Sequence, residues 1–193
     1  MISKGLILII LIVVSSLSIV AYFITSSNKK GELVVQFRQE LSPNTIVRFN
    51  DTILLPSSLD TKRYSDTVRA GKGILEVNSP GYEQYVAELN IEPEKVASIT
   101  VELAGKDPKS IASESLDFPF DNVVDPVYYG ERDWLTFGLL DENGNRIGGI
   151  AVAKYEKISN SWVIVEQGSD LDALDARFEG APNELISLIM ERY

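Results

Sequence analysis

The side chains of this sequence that could do chemistry are carboxylates, amines and phenols. Its 193 residues include 28 aspartates and glutamates, 18 lysines and arginines and 8 tyrosines, but no cysteine and no histidine. Without histidine, the usual base of Ser-His and Cys-His nucleophile systems is missing. Without thiols or imidazoles, oxygen atoms are the ligands left for a metal. We therefore predict no catalytic residue and no cofactor.

One acidic cluster has a spacing that could hold calcium. Asp170, Asp172 and Asp175 lie in the stretch GSDLDALDARFEG, and oxygen ligands at alternating positions can bind Ca²⁺. A complete calcium loop also needs a glycine at its sixth position, which this stretch lacks. We therefore predict a solvated acidic loop and no metal site.

Aromatic and acidic residues are concentrated between residues 117 and 134, in DFPFDNVVDPVYYGERDW. Rings beside acidic groups can bind a sugar or a peptide through stacking and hydrogen bonds. Large rings are also often buried, so the same side chains could instead fill a domain core. The candidate binding residues are Phe118, Phe120, Tyr128, Tyr129 and Trp134.

The charge of the chain argues against one class of partner. The formal net charge is −10, and the first 30 residues contain Lys4, Lys29 and Lys30 but no acidic residue. Residues 31–193 therefore carry 28 acidic and 15 basic side chains, a net of −13. Such a body repels phosphate groups, so we predict no nucleic-acid partner.

An apolar run near the N-terminus predicts a membrane anchor. It starts at Leu6, ends at Ile24 and contains 19 uncharged residues, which as a helix span about 28 Å, close to the hydrocarbon thickness. A cleaved signal peptide is the alternative, but its apolar core is shorter. Flanking lysines on the C-terminal side favour a cytoplasmic body, whereas the short positive N-terminal tail favours export. We predict a single-pass protein of the cell membrane with its N-terminus inside and an extracytoplasmic body.

The residues after the anchor segment (residues 6–24) predict a first module of short β-strands. ELVVQF, TIVRFND, GILEV, EQYVAEL and SITVEL alternate apolar and polar residues, which is typical of half-buried strands. Pro80 and Gly81 fit the central positions of a type II turn. We predict an antiparallel β-sandwich, with a long insert-like loop over TILLPSSLDTKRYSDT.

The same residues carry a resemblance to a known family. GELVV, the proline of SPNTIVRFND, VRAGKGILEVNSPGY and the closing SITVEL resemble a PEGA domain over residues 31–104. The resemblance implies a small β module, found in surface and envelope proteins, that supports other parts or binds partners and is not an enzyme. The residues that match its motif are Gly31, Pro43, Asn50, Gly71, Gly81 and Tyr82.

The rest of the body predicts a linker and a second module. Residues 105–120 begin with the polar stretch GKDPKSIASES, which is typical of a linker. In residues 121–193, Asn143-Gly144 predicts a hairpin between two β runs, and SWVIVEQ predicts a third strand. The apolar stripe of APNELISLIMERY predicts a C-terminal helix. We predict a small α+β module in which this helix packs on a three-stranded meander.

These features together predict a binding or assembly protein of the cell envelope. The anchor segment would hold it in the bilayer, and its partner would be another protein or an envelope glycan. One alternative is an accessory subunit of a membrane-embedded complex, because Ser15, Ser16 and Ser18 would let helices approach closely. A second alternative, disfavoured because no motif supports it, is a carboxylate-based glycan hydrolase.

Overall fold

A computed structural model describes residues 29–168, 171 and 176–191 of the chain. The fold is mostly β, with two sheets and two α-helices in the described residues. The first module consists of seven strands: β1 (Lys30–Phe37), β2 (Ile46–Phe49), β3 (Thr52–Pro56), β4 (Arg63–Arg69), β5 (Gly71–Asn78), β6 (Tyr85–Ile91) and β7 (Val96–Val101).

The seven strands follow the order β6-β5-β2-β3-β4-β1-β7. Their pairing is antiparallel except between β1 and β7, which are parallel. Strand β3 links the two halves of the sheet, because its first residues pair with β2 and its last residues, Leu55 and Pro56, pair with β4. Buried side chains from both halves belong to one core cluster. The arrangement is therefore sandwich-like, as predicted.

The alternation of apolar residues explains which side chains fill this core. Leu33, Val35 and Phe37 of β1 are buried, as are Leu75 and Val77 of β5. Successive side chains of a strand point to opposite faces, so each of these sets occupies one face of its strand. The buried apolar surface is the main favourable term in the stability of the module.

Local turn chemistry in the first module is confirmed. Gly81 has a φ of +68°, and the Tyr82 amide donates to the Ser79 carbonyl at 3.2 Å, as a type II turn requires. Asn50 also has a positive φ, in the two-residue turn that joins β2 to β3. The prediction of an insert-like loop over TILLPSSLDTKRYSDT is wrong, because this stretch contains β3 and β4.

The second module contains four strands and two helices. Its sheet has the order β11-β10-β9-β8, with antiparallel pairing throughout. Short 3₁₀ turns precede β8 and α2. The elements are α1 (Pro108–Leu116), β8 (Val123–Tyr129), β9 (Trp134–Leu140), β10 (Arg146–Glu156), β11 (Ser161–Gly168) and α2 (Asn183–Glu191).

One helix covers each face of this sheet. Leu135 and Phe137 of β9 belong to the same core cluster as Ile111 of α1. Trp134, on the opposite face of β9, belongs to a second cluster with Leu185 of α2. The predicted C-terminal helix is therefore confirmed, as is the hairpin at Asn143-Gly144, which joins β9 to β10.

Two elements of this module differ from the prediction. The predicted linker contains α1, which begins after the N-cap residue Asp107 and buries Ile111 and Ala112 against the sheet. The meander has a fourth strand, β8, which pairs with β9. Helix α1 was not predicted because it is mostly polar, and only two of its nine residues are buried.

In the part of the chain that the structure describes, no helix has the length and apolarity needed to cross a membrane. The predicted anchor segment, residues 6–24, lies outside the described residues.

Candidate functional site

The two modules meet at the turn between β8 and β9, which we call the docking turn (residues 130–133). Gly130 and Arg132 both have a positive φ, +60° and +66°. A glycine adopts this conformation at little cost, but an arginine there is uncommon. The turn therefore holds Arg132 in a costly backbone conformation, which its side-chain contacts must offset.

The Arg132 side chain lies between the two modules. Its guanidinium lies over the Tyr82 ring of the first module at 4.8 Å and near the Tyr128 ring of the second module at 5.2 Å. It also donates a hydrogen bond to the Gly81 carbonyl at 3.1 Å. Cation–π contacts and charge-assisted hydrogen bonds are strongest where water is excluded, and Arg132 is half-buried.

Two glycines of the first module leave room for this side chain. A Cβ atom at Gly81 would lie 2.7 Å from the Arg132 Cβ, and one at Gly105 would lie 2.7 Å from an Arg132 guanidinium nitrogen. Gly81 also needs its positive φ. Glycine is thus required at residue 81 for two separate reasons, backbone conformation and close approach of the second module.

Asp133, the next residue of the docking turn, contacts a different part of the first module. Its carboxylate accepts hydrogen bonds from the Ser42 hydroxyl at 3.4 Å and from the Asn44 amide at 3.3 Å. Partial burial raises the pKa of Asp133, and the hydrogen bonds from Ser42 and Asn44 and the charge of Lys154 partly oppose this rise. Burial also raises the pKa of the Tyr128 phenol, which stays neutral and donates to the Lys106 carbonyl at 3.1 Å.

A cleft of about 430 Å³ lies beside these contacts, and both modules contribute to its walls. We call it the inter-module cleft. Its volume is in the range of small-molecule sites, about 300–1,000 Å³. The first module lines it with residues 78–84, the segment before α1 and α1 itself contribute Lys106, Ile111 and Ser115, and the second sheet contributes Tyr155, Asn160, Ser161 and Trp162.

Hydrogen bonds and ring contacts hold the cleft walls in place. The Tyr155 hydroxyl donates to the Asn160 side chain at 2.5 Å, and the Tyr155 ring meets Trp162 edge to face at 5.8 Å. On the opposite wall, the backbone amide of Lys106 donates to the Gly81 carbonyl at 2.9 Å. The Lys106 ammonium forms an ion pair with Glu114 at 2.7 Å. The cleft is thus a preorganised concave surface with amide and hydroxyl groups next to aromatic rings.

A second concavity, about 330 Å³ in volume, lies on the first module. This apolar groove is lined by Leu41, Ile46, Ile53, Leu55 and neighbouring residues, with Lys157 of the second module at its end. Ile53 and Leu55 are 53% and 64% exposed. The Lys157 ammonium donates to the Pro43 carbonyl at 3.0 Å. This hydrogen bond joins the two modules beside the groove.

The five aromatic residues predicted as a binding surface do not form one surface. Phe118 and Tyr128 pack on the side of the second sheet that α1 covers, whereas Tyr129 and Trp134 pack on the side that α2 covers. Trp134 is 1% exposed. Phe120 is exposed, with the Lys109 ammonium 4.5 Å from its ring centre. Tyr128 contacts two residues of the cleft lining, because its hydroxyl donates to the Lys106 carbonyl and its ring lies 6.2 Å from the Trp162 ring.

Sequence reasoning missed the residues that join the modules. Arg132 and Asp133 were part of the stretch YYGERDW, and a charged pair within a short turn was the available signal. Their partners, Ser42, Asn44 and Gly81, are 51 to 91 residues away in the chain, so no local pattern connects them. Asp170, Asp172 and Asp175 lie outside the described residues, and within the described ones no group of three or more acidic side chains is placed to hold a metal ion.

No protein-family model and no curated protein matches the chain. Among solved structures it is similar to a DUF3823 family protein from Parabacteroides merdae, with 7% identity and a TM-score of 0.32 over 65% of this chain and 59% of that one. It is also similar to the Bacillus anthracis TIE protein, with 11% identity and a TM-score of 0.30 over 70% of this chain and 26% of that one. The chain thus spans less than two thirds of the length of either.

Proposed function

We propose that this chain is a membrane-anchored binding protein of the cell envelope and that its two modules bind a partner without turnover. The anchor segment holds it in the bilayer, and its body is extracytoplasmic. The apolar run of 19 residues between Lys4 and Lys29 supports the anchor. The resemblance of the first module to a PEGA domain, carried by its turn residues, favours a module that binds a partner or holds other parts of the protein.

The observation that carries the binding role is the inter-module cleft. Its walls come from both modules, and the docking turn fixes those modules to each other through Arg132 and Asp133. A site whose walls are already in place loses little conformational entropy when a ligand enters, which favours affinity. We infer that the junction exists to keep this site in shape.

The experiment for this function uses intact cells that carry the full chain. Protease added to intact cells should remove the body and leave a membrane-protected fragment that contains the anchor segment. Protection of the body until the cells are lysed would contradict an extracytoplasmic location. Release of the body into the soluble fraction without protease would contradict the anchor.

A second candidate function, an accessory subunit of a membrane complex, is favoured by the apolar groove. Exposed apolar patches of this kind are often protein contacts, and Ile53 and Leu55 are large exposed apolar side chains. Co-purification of the full chain in mild detergent tests this candidate. Loss of a defined partner on Ile53→Lys, with the fold retained, would favour it over a freestanding binder.

A further inference from the structure

The inter-module cleft has a lining that selects a ligand class, an inference that rests on the proposed binding function. Neutral hydrogen-bonding side chains are its most frequent component. Gln84, Asn160 and Ser161 are exposed. The Asn160 side-chain carbonyl oxygen already accepts from Tyr155, so its amide nitrogen is the atom it offers to a ligand. The complete neutral polar set in the lining is Asn78, Ser79, Gln84, Ser115, Asn160 and Ser161.

The charges of the cleft do not favour an anionic ligand. Lys106 is the basic residue in the described lining, and its ammonium is already paired with Glu114. Glu83 adds an exposed carboxylate. The net charge of the whole chain, −10, repels anions at longer range as well. A ligand without negative charge therefore fits this cleft best.

Aromatic rings supply the apolar part of the same surface. Tyr82, which is half-buried, comes from the first module. Tyr155 and Trp162 come from the second module and are only 8% and 6% exposed, so Tyr82 presents the most accessible ring. A ring surface next to amide and hydroxyl groups matches a molecule that has both apolar C–H faces and many hydroxyls. Sugars have this combination, whereas most peptide segments of similar size have fewer hydroxyl groups.

We propose that the inter-module cleft binds an uncharged glycan segment, with hydrogen bonds from Gln84 and Asn160 and apolar contact with Tyr82. Sugar hydroxyls would bond to the Gln84 amide and would accept from the Asn160 amide nitrogen, because the Asn160 oxygen already accepts from Tyr155. Each amide contributes one hydrogen bond of ordinary strength, so its removal should weaken binding about fivefold. Removal of both amides should weaken binding about twentyfold, because the two residues lie on different modules and act nearly independently.

The test uses the full chain in detergent micelles and three probes. The probes are fully N-acetylated chitotetraose (below, chitotetraose) as a neutral oligosaccharide, an oligogalacturonate as an acidic one, and a lysine-rich peptide. Calorimetric titration should detect chitotetraose alone, with little dependence on salt because no ion pair forms. Gln84→Ala and Asn160→Ala should each weaken the binding about fivefold. Asn90→Ala and Gln167→Ala, exposed amides outside the cleft lining, are the matched controls and should leave binding unchanged.

Tryptophan fluorescence adds a check that does not depend on the calorimetric signal. The chain has two tryptophans. Trp162 is part of the cleft lining and is 6% exposed, whereas Trp134 is 1% exposed and lies in the core beside α2. Chitotetraose should change the emission of the native protein, and Trp162→Phe should abolish that change.

Three outcomes would overturn the proposal, each in a different way. Binding of the lysine-rich peptide instead of chitotetraose, with the same sensitivity to Asn160→Ala, would overturn the glycan class and leave the cleft as the binding site. Binding of chitotetraose with the same affinity in both cleft variants as in the native protein would show that the cleft is not the binding site, and it would contradict the proposed function. Absence of chitotetraose binding at millimolar concentration would overturn the glycan assignment.

Discussion

Replacement of Arg132 by alanine should separate the two modules without unfolding either core. The change removes a hydrogen bond from a charged donor to the Gly81 carbonyl, worth about 1.5–3 kcal/mol. It also removes two cation–π contacts, to Tyr82 and Tyr128, each worth about 0.5–1 kcal/mol. Because Arg132 is only half-buried, we take a total of about 3 kcal/mol for the loss of coupling between the modules.

Chemical unfolding of the full chain in detergent, followed by two signals, measures this coupling. Both tryptophans, Trp134 and Trp162, lie in the second module, so their fluorescence reports that module alone. Far-ultraviolet circular dichroism also reports the seven strands of the first module. In the native protein the two transitions should coincide. In Arg132→Ala they should separate, and the first transition should move to lower urea by about 1–2 M.

Two matched variants distinguish side-chain contacts from backbone strain. Arg132→Lys keeps the charge but loses the planar fork, so it should recover only part of the coupling. Arg132→Gly relieves the positive φ of this residue and should be more stable than Arg132→Ala by about 1 kcal/mol. Coincident transitions and an unchanged midpoint in Arg132→Ala would refute the view that this side chain joins the modules.

Three further predictions concern the same junction and the groove beside it. Gly81→Ala should destabilise the protein by about 2–4 kcal/mol, because the new Cβ meets Arg132. Gly144 has open space around it, so Gly144→Ala should cost only the backbone strain of about 1–2 kcal/mol. Thermal unfolding compares the two variants, and equal losses of stability would contradict the close approach of Arg132 to Gly81. Burial raises the pKa of Asp133, so its contribution to stability is complete below the ordinary carboxyl pKa of about 4 and is lost as the pH rises through the raised folded value. Asp133→Asn should flatten that part of the stability–pH curve, and an unchanged curve would contradict the assignment. Ile53→Lys should leave the free energy of unfolding, measured by chemical denaturation, within about 0.5 kcal/mol of the native value, because the side chain is exposed, and a larger loss would show that the groove is part of the core.

The sequence predicted the features that depend on neighbouring residues. The Pro80-Gly81 turn follows from the fixed φ of proline and the tolerance of glycine for positive φ, and the structure has that turn. The amphipathic stripe of α2 follows in the same way, since Leu185 and Ile189 are buried four residues apart. These patterns are local, so a single sequence is enough to detect them.

Features that depend on distant partners could not be predicted in this way. The parallel pairing of β1 with β7 joins segments more than 60 residues apart, and no property of either strand specifies its partner. Helix α1 has two buried residues, Ile111 and Ala112, too few for a clear period, although Asp107-Pro108 was a start signal. The walls of the inter-module cleft come from several of these elements, so the candidate site could not be predicted from the sequence without the fold.

The distance between the two modules tests the central claim most directly, because the cleft exists only if the modules keep one orientation. The chain has no cysteine, so Asn90→Cys on β6 and Gln167→Cys on β11 would provide two unique sites for spin labels. Pulsed electron–electron double resonance on the full chain should give one narrow distance distribution, which Arg132→Ala should broaden. A broad distribution in the protein with Arg132 intact would mean that the modules move independently, and it would contradict a preformed cleft between them.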